Sequence, residues 1–214
     1  MLYRSSGLSG LPPVVKNLLI INILVWIVQI FFIKQGNPLE IYGALWSRET
    51  GNFNIWQLVT HMFMHASVDQ RGQIEFYHIF FNMFTLWMFG KILENFWGSK
   101  RFLQFYIISG LVAGIVQLLM GGFGYAVGAS GAIMGLMAGF AYLFPNTELY
   151  IMFIPIPVKA KYVIPGLMAL DLFGGIANTS GDNVAHWAHL GGAAAGLIMV
   201  IFWNKSKGNR RNFY

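Results

Sequence analysis

Two stretches decide how this chain folds: GASGAIMGLMAG at residues 128–139 and HWAHLGGAAAG at residues 186–196. Each sets small residues four apart in apolar surroundings, Gly131, Gly135 and Gly139 in the first and Ala188, Gly192 and Gly196 in the second. That spacing places them on one face of a helix, and in lipid such a face lets two backbones approach closely. Ser130 adjoins the leading end of the first stripe and His189 that of the second. If the stripes face one another, an imidazole comes within reach of a hydroxyl. A serine needs this, because its hydroxyl is a poor nucleophile until a neighbouring base takes the proton.

Composition says that lipid is the solvent. The 214 residues are 56% hydrophobic and 10% charged, with a mean hydropathy of +0.57, whereas soluble domains carry about 25% charged residues. So few charges cannot cover a water-facing surface. The length suits one domain over 1–214. Cysteine is absent, which excludes a disulfide framework and any thiolate nucleophile or ligand. The first apolar run, 14–33, is too long for the h-region of a cleavable signal and reads as a spanning helix.

Apolar length predicts an all-α membrane protein with six spans, near 14–33, 78–96, 101–120, 130–145, 162–177 and 185–203. A transmembrane core of 14–203 then leaves a short basic tail, 204–214. The fifth span holds Pro165, Gly166 and Asp171, all unfavourable to a helix in lipid. The long first loop, 35–77, contains an amphipathic stretch, 55–65, expected to lie as a helix in the interface. Pro155 and Pro157 make 149–158 extended.

Of the 14 Lys and Arg, Arg4, Lys16, Lys91, Lys100, Arg101, Lys159, Lys161, Lys205, Lys207, Arg210 and Arg211 fall on one side. Only Lys34, Arg48 and Arg71 fall on the other. The rule that basic residues stay inside puts both termini in the cytoplasm and the first loop outside. The net charge of +6 is thus a topology signal, and a nucleic-acid partner is not expected.

Polar residues at membrane depth are functional candidates by default. His78 and Asn82 on the second span, Ser130 on the fourth, and His186 with His189 on the sixth all fall near the outer ends of helices running inward. Their convergence on one layer implies a site opening outward. Ser130 also reads as an ordinary helix N-cap. Its functional reading rests on Gly128 and Gly131, which let a substrate backbone approach, and on first-turn N–H groups able to receive an oxyanion. His189 begins its stripe and is the deeper of the two sixth-span histidines, so it is the expected base, with His186 facing water or a loop. His78 and Asn82, at i and i+4, can both donate to an oxyanion, or else bond within the bundle. His61 and His65 share that spacing, but without the Glu of H-E-x-x-H or a nearby third ligand they read as interfacial residues bonded to backbone or water. Asp171 is expected to lie too far towards the middle of the fifth span to join His189, and Asp182 stands in a loop, so a Ser–His dyad is the expectation.

Together these motifs resemble the rhomboid intramembrane serine proteases. The resemblance rests on His78-Ile-Phe-Phe-Asn82, on Glu94 followed by Gly98, on Gly128-Ala-Ser130-Gly131, and on Ala188-His189 followed by Gly192 and Gly196. It implies a six-helix bundle with interfacial helices in the first loop. It also implies a dyad of Ser130 and His189, and an oxyanion hole of the Ser130 N–H with the His78 and Asn82 side chains. Glu94 would be a structural hydrogen-bonding residue near the cytoplasmic side. The substrates implied are transmembrane proteins, cut near the outer face of a bacterial inner membrane without metal or cofactor. Helix five with the loop 178–184 is the expected gate. A family member that binds clients without cutting would lack Ser130 or His189, and a histidine-based metal or haem protein would not need that serine. The pattern departs at Gln57, where the family often has Arg, at Met134, where an aromatic is common, and at the inserted segment 66–77.

Overall fold

The computed structural model describes residues 10–69, 71–150, 156–177 and 184–208. Helix α1, Pro13–Lys34, has 22 residues, a length of about 33 Å and enough to cross a bilayer. Its buried residues Val15, Leu18, Leu19, Asn22, Trp26 and Gln29 recur every three or four positions and form one inward stripe. The outward face, including Leu24, Ile27 and Phe31, is exposed and apolar. Apolar side chains thus occupy both faces of this helix, and Asn22 and Gln29 mark the inward one.

Short elements α2, Glu40–Gly43, and α3, Gln57–Thr60, lie in the first loop. A 3-10 turn, His61–Phe63, continues α3, so the helix expected over 55–65 is shorter and tighter than its pattern suggested. Strand β1, Leu45–Trp46, pairs antiparallel with β2, Tyr125–Ala126. Gln57, fully buried, holds this loop together. Its Oε1 accepts from the N–H groups of Trp46 (3.3 Å) and Asn54 (3.1 Å), and its Nε2 donates to the Asn52 carbonyl (3.1 Å). A neutral amide offers both donors and acceptors here, which arginine would not. The inserted segment closes as a short hairpin, in which Val68 bridges Ile74 and Glu75 N–H donates to the Ser67 carbonyl at 3.0 Å.

The second span is one helical run made of α4, Tyr77–Thr85, a π turn, Leu86–Gly90, and α5, Lys91–Trp97. Near its end the buried Glu94 carboxylate accepts from Val14 N–H (3.0 Å), Val15 N–H (2.8 Å) and Ser99 Oγ (2.7 Å). It supplies acceptors that the first turn of α1 lacks. Gly98 then reverses the chain at φ 81° and ψ 157°, backbone angles that only glycine adopts without strain.

The remaining spans are α6, Ser99–Met120, α7, Ser130–Leu143, α8, Ala160–Ala177, and α9, His186–Gly208. Among the described residues, four helices, α1, α6, α8 and α9, are long and apolar enough to cross a membrane, and α7 is a shorter apolar one. With the run 77–97, this is the six-span bundle expected. The sixth span is longer than predicted: α9 continues through Lys205 and Lys207, so 204–208 is helix rather than tail. Lysine is a good helix former, and the chain meets no breaker before Gly208. Strands β3, Glu148–Tyr150, and β4, Pro157–Lys159, form an antiparallel pair where extended chain was expected.

Helix α7 is the axis of the bundle. Nine consecutive or near-consecutive residues from Gly131 to Phe140 are buried, because α6, α8 and α9 pack around it. Its 14 residues span about 21 Å, less than the thickness of a bilayer's hydrocarbon core. By contrast α8 is loosely packed, with 17% of its apolar window buried against 33–39% in the other long spans. Pro165 inside α8 removes one backbone hydrogen bond, which a helix in protein surroundings tolerates.

Candidate active site

Ser130 is the first residue of α7, and Ala129 occupies the cap position without a side-chain capping bond. The N-cap reading of Ser130 is thus overturned. Its Oγ instead lies 2.8 Å from His189 Nε2.

Glycine contact between α7 and α9 brings the two together. A Cβ on Gly192 would collide with the Gly131 carbonyl, and one on Gly196 would sit 2.5 Å from Gly135 O. The backbone at Gly131 and Gly135 therefore meets that at Gly192 and Gly196 directly, whereas Gly139, the third member of the first stripe, faces Phe105 and Trp97 instead. Ala188 N–H, in the first turn of α9, donates to Gln117 Oε1 of α6 at 3.2 Å. This fixes the turn that carries His189.

Asp171 lies where the sequence reading did not put it. Its Oδ1 is 2.9 Å from His189 Nδ1 and 2.8 Å from His186 Nδ1. Counting depth from the ends of the spans misplaced it. A Cβ on Gly174 would lie 2.5 Å from the His186 ring, so the first turn of α9 packs about one turn down α8, level with Asp171. His186 likewise turns towards Asp171 rather than towards water, its side chain only 15% exposed. A carboxylate only accepts hydrogen bonds, so His189 Nδ1–H is the donor to Asp171, and the Nε2 lone pair receives the Ser130 hydroxyl.

His78 has the opposite tautomer. Ala66 N–H donates to His78 Nδ1 at 2.9 Å, which leaves the hydrogen of the neutral ring on Nε2. Gly128, at φ 130°, opens the space beside it. A Cβ there would stand 3.0 Å from His78 Nε2 and 3.5 Å from Ser130 Oγ. Glycine thus leaves a gap flanked by a hydroxyl and an N–H donor, the setting in which a carbonyl is attacked and its oxygen received. Asn82, one turn below on α4, donates from Nδ2 to the His78 carbonyl at 2.8 Å. One Nδ2 hydrogen is therefore committed to the backbone of its own helix. Met134, four residues after Ser130, is half-buried against the core.

The first loop braces this site. Gly128 N–H donates to the His61 carbonyl at 2.9 Å, and Ser47 N–H to the Gly124 carbonyl at 2.8 Å. His61 Nδ1–H donates to the Gln57 carbonyl at 2.7 Å. His65 Nε2–H donates to Asn22 Oδ1 at 2.9 Å, so the two rings serve different partners and are not turned to a common ligand. Burial pushes His61 down to about 4 and His65, with some help from His78, down to about 3. Gln29 joins α1 to the loop, its amide bonded to the Glu40 carboxylate (2.7 Å) and to both backbone groups of His65 (2.9 and 3.0 Å). Asn22, Gln29 and Gln117 were missed from sequence. Their signal was a lone polar side chain inside an apolar span.

Known proteins resemble this chain in sequence. The rhomboid domain family model matches residues 52–206. The chain is 27% identical over 192 residues to Rhomboid-like protease 3 of Toxoplasma gondii, covering 86% of this chain and 66% of that one. It is 27% identical over 206 residues to Rhomboid protease GlpG of Photorhabdus laumondii, covering 94% and 66%. With the human mitochondrial presenilin-associated rhomboid-like protein it shares 31% over 131 residues, covering 59% and 34%. The match thus spans about two thirds of the first two relatives and one third of the third. With its family model matched over most of its length, the chain belongs to the rhomboid family.

Proposed function

We propose that this protein is an intramembrane serine endopeptidase that cuts transmembrane protein substrates near the outer face of the bilayer. The observation that carries this reading is the 2.8 Å contact between Ser130 Oγ and His189 Nε2, inside a family whose relatives include proteins named as proteases. Ser130 Oγ attacks the scissile carbonyl carbon while its proton passes to His189 Nε2. The carbonyl oxygen, now an anion, is received by Ser130 N–H, His78 Nε2–H and the second Nδ2 hydrogen of Asn82. His189 returns the proton to the departing amine, leaving an acyl-serine, and water deprotonated by His189 then releases it. No step calls for a metal or cofactor.

An intact substrate helix hides its carbonyls in hydrogen bonds, so the segment must unwind before attack. Segments with Gly, Pro or polar residues near the cut are preferred. The loosely packed α8 is the proposed gate. The neighbouring gate residues 178–183 lie outside the described residues, and Val184 opens the chain again on the far side. Both termini face the cytoplasm of a bacterial inner membrane, as the basic residues favour. A C-terminal alkaline-phosphatase fusion, active only when exported, would reverse that orientation if it showed full activity. The main test is a fluorophosphonate probe, expected to label the wild-type protein and not Ser130→Ala or His189→Ala. Equal labelling of Ser130→Ala would sink the proposal.

A further inference from the structure

We infer that Asp171 is a positioning residue, a third member that sets the His189 tautomer and ties it to the placement of α8. This rests on the Ser130–His189 reading above and extends it from a dyad to a relay of three groups on three helices.

A neutral imidazole carries its hydrogen on one nitrogen. Unless something chooses, His189 spends part of its time with that hydrogen on Nε2, where it faces Ser130 Oγ and cannot accept the hydroxyl proton. Asp171 chooses. Its Oδ1 stands 2.9 Å from Nδ1, and an ionised carboxylate has nothing to donate, so only the Nδ1–H form is favoured. The carboxylate also faces the imidazolium that forms once the Ser130 proton has moved to Nε2, and stabilises it. Asp171 is 8% exposed, in surroundings where this attraction is weakly screened.

His186 gives a second, independent reason to assign a role here. Its Nδ1 reaches the same oxygen at 2.8 Å, so Asp171 is clamped between two rings on one face of α9. A buried carboxylate in lipid is retained only where partners satisfy it, and both partners belong to the helix that carries the base. The α8 surface is shaped for this contact. Gly174 leaves space that a Cβ could not share with the His186 ring, and a Cβ on Gly175 would lie 3.3 Å from His186 Cβ. Asp171 itself is on the span with the least packing. The correct tautomer of His189 therefore depends on α8 resting against α9, and a displaced α8 leaves the base unset.

The test is ¹⁵N NMR of ring-labelled histidine in the detergent-solubilised protein, together with fluorophosphonate labelling over a range of probe concentrations. In wild type, His189 is expected to show hydrogen on Nδ1. In Asp171→Asn, whose amide can turn its NH₂ towards Nδ1, the hydrogen moves to Nε2. The saturating labelling rate then falls about 10²-fold, with the half-saturating concentration within twofold. The ~10⁴-fold cost of the comparable change in soluble triads, where the geometry likewise stays intact and only the tautomer is wrong, sets the upper bound on that loss. A merely structural role would not move the tautomer. Hydrogen on Nε2 in the wild-type spectrum overturns the inference even if the variant does not fold, as does an Asp171→Asn variant that keeps the Nδ1–H form or labels within threefold of wild type. Undiminished labelling of Ser130→Ala would instead remove the protease reading, leaving the wild-type tautomer as a separate result.

Discussion

Gly192→Ala puts the helix contact under the most direct strain, since its new methyl would land on the Gly131 carbonyl. The size of the displacement can be gauged one turn further down. A Cβ on Gly196 lies 2.5 Å from Gly135 O, and ordinary contact begins at 3.4 Å, so α9 must retreat by about 1 Å there and by at least that at Gly192, where the overlap is deeper. His189 is three residues from Gly192 on the same helix. A retreat of this size turns its 2.8 Å contact with Ser130 into one of about 3.7 Å, beyond hydrogen-bond range. A 1 Å misplacement of a catalytic group costs about 10²-fold in rate, and the overpacking itself costs about 1–3 kcal/mol of stability. Fluorophosphonate labelling reads the first and a thermal melt in detergent the second. Gly196→Ala should show the same loss in milder form, because it is farther from His189. Gly166→Ala is the control: nothing lies within 4 Å of its new Cβ, so its rate is unchanged and its stability equal or up to about 1 kcal/mol higher. Labelling of Gly192→Ala within threefold of wild type would show that backbone contact does not set the Ser130–His189 distance.

His189→Ala abolishes labelling, while His186→Ala keeps activity within about tenfold of wild type, since removing His186 leaves Asp171 to His189 alone; equal loss in both variants would show that the two histidines share the base role. Glu94→Gln replaces one acceptor oxygen by an NH₂ that opposes the N–H groups of α1, and should cost about 1.5–3 kcal/mol; an unchanged melting temperature would remove Glu94 from the account of how α1 is anchored. Stability should fall as pH drops from 6.5 towards 4. His61 and His65 have folded values of about 4 and 3 against an unfolded value of 6.5, so in that window the unfolded chain binds more protons and gains stability as the pH falls. Melts at pH 7.5 and 5 in wild type and His61→Gln test this, and an identical pH slope in both would refute the assignment to His61.

What could be read from sequence depended on the kind of side chain. The spans followed from apolar length alone. The Ser130–His189 contact followed from glycine spacing, because a small residue repeated every four positions has one geometric consequence in lipid whatever the rest of the chain does. The N-cap reading of Ser130 was open until the helix was seen to start at Ser130 rather than after it. Asp171 was misjudged because depth was counted from the ends of the spans, and that count assumes neighbouring helices begin level. Gly174 and Gly175 break the assumption by letting the first turn of α9 slide down α8.

The other omissions share a cause. On α1, apolar residues occupy both faces, so hydrophobic periodicity cannot tell inside from outside; Leu18 is buried and Leu24 exposed with the same side chain. Only Asn22 and Gln29, seven apart, mark the inward face. Lipid cannot satisfy an amide, so each needs a protein partner, and the partners turn out to be His65 and Glu40 in the first loop. The same reasoning applied to Gln117 and Asp171 points inward in both cases, towards the first turn of α9. In a bilayer the rare polar residues carry the orientation that apolar patterning carries in water, and in this chain the partners of Gln117 and Asp171 both lie on the helix bearing His189.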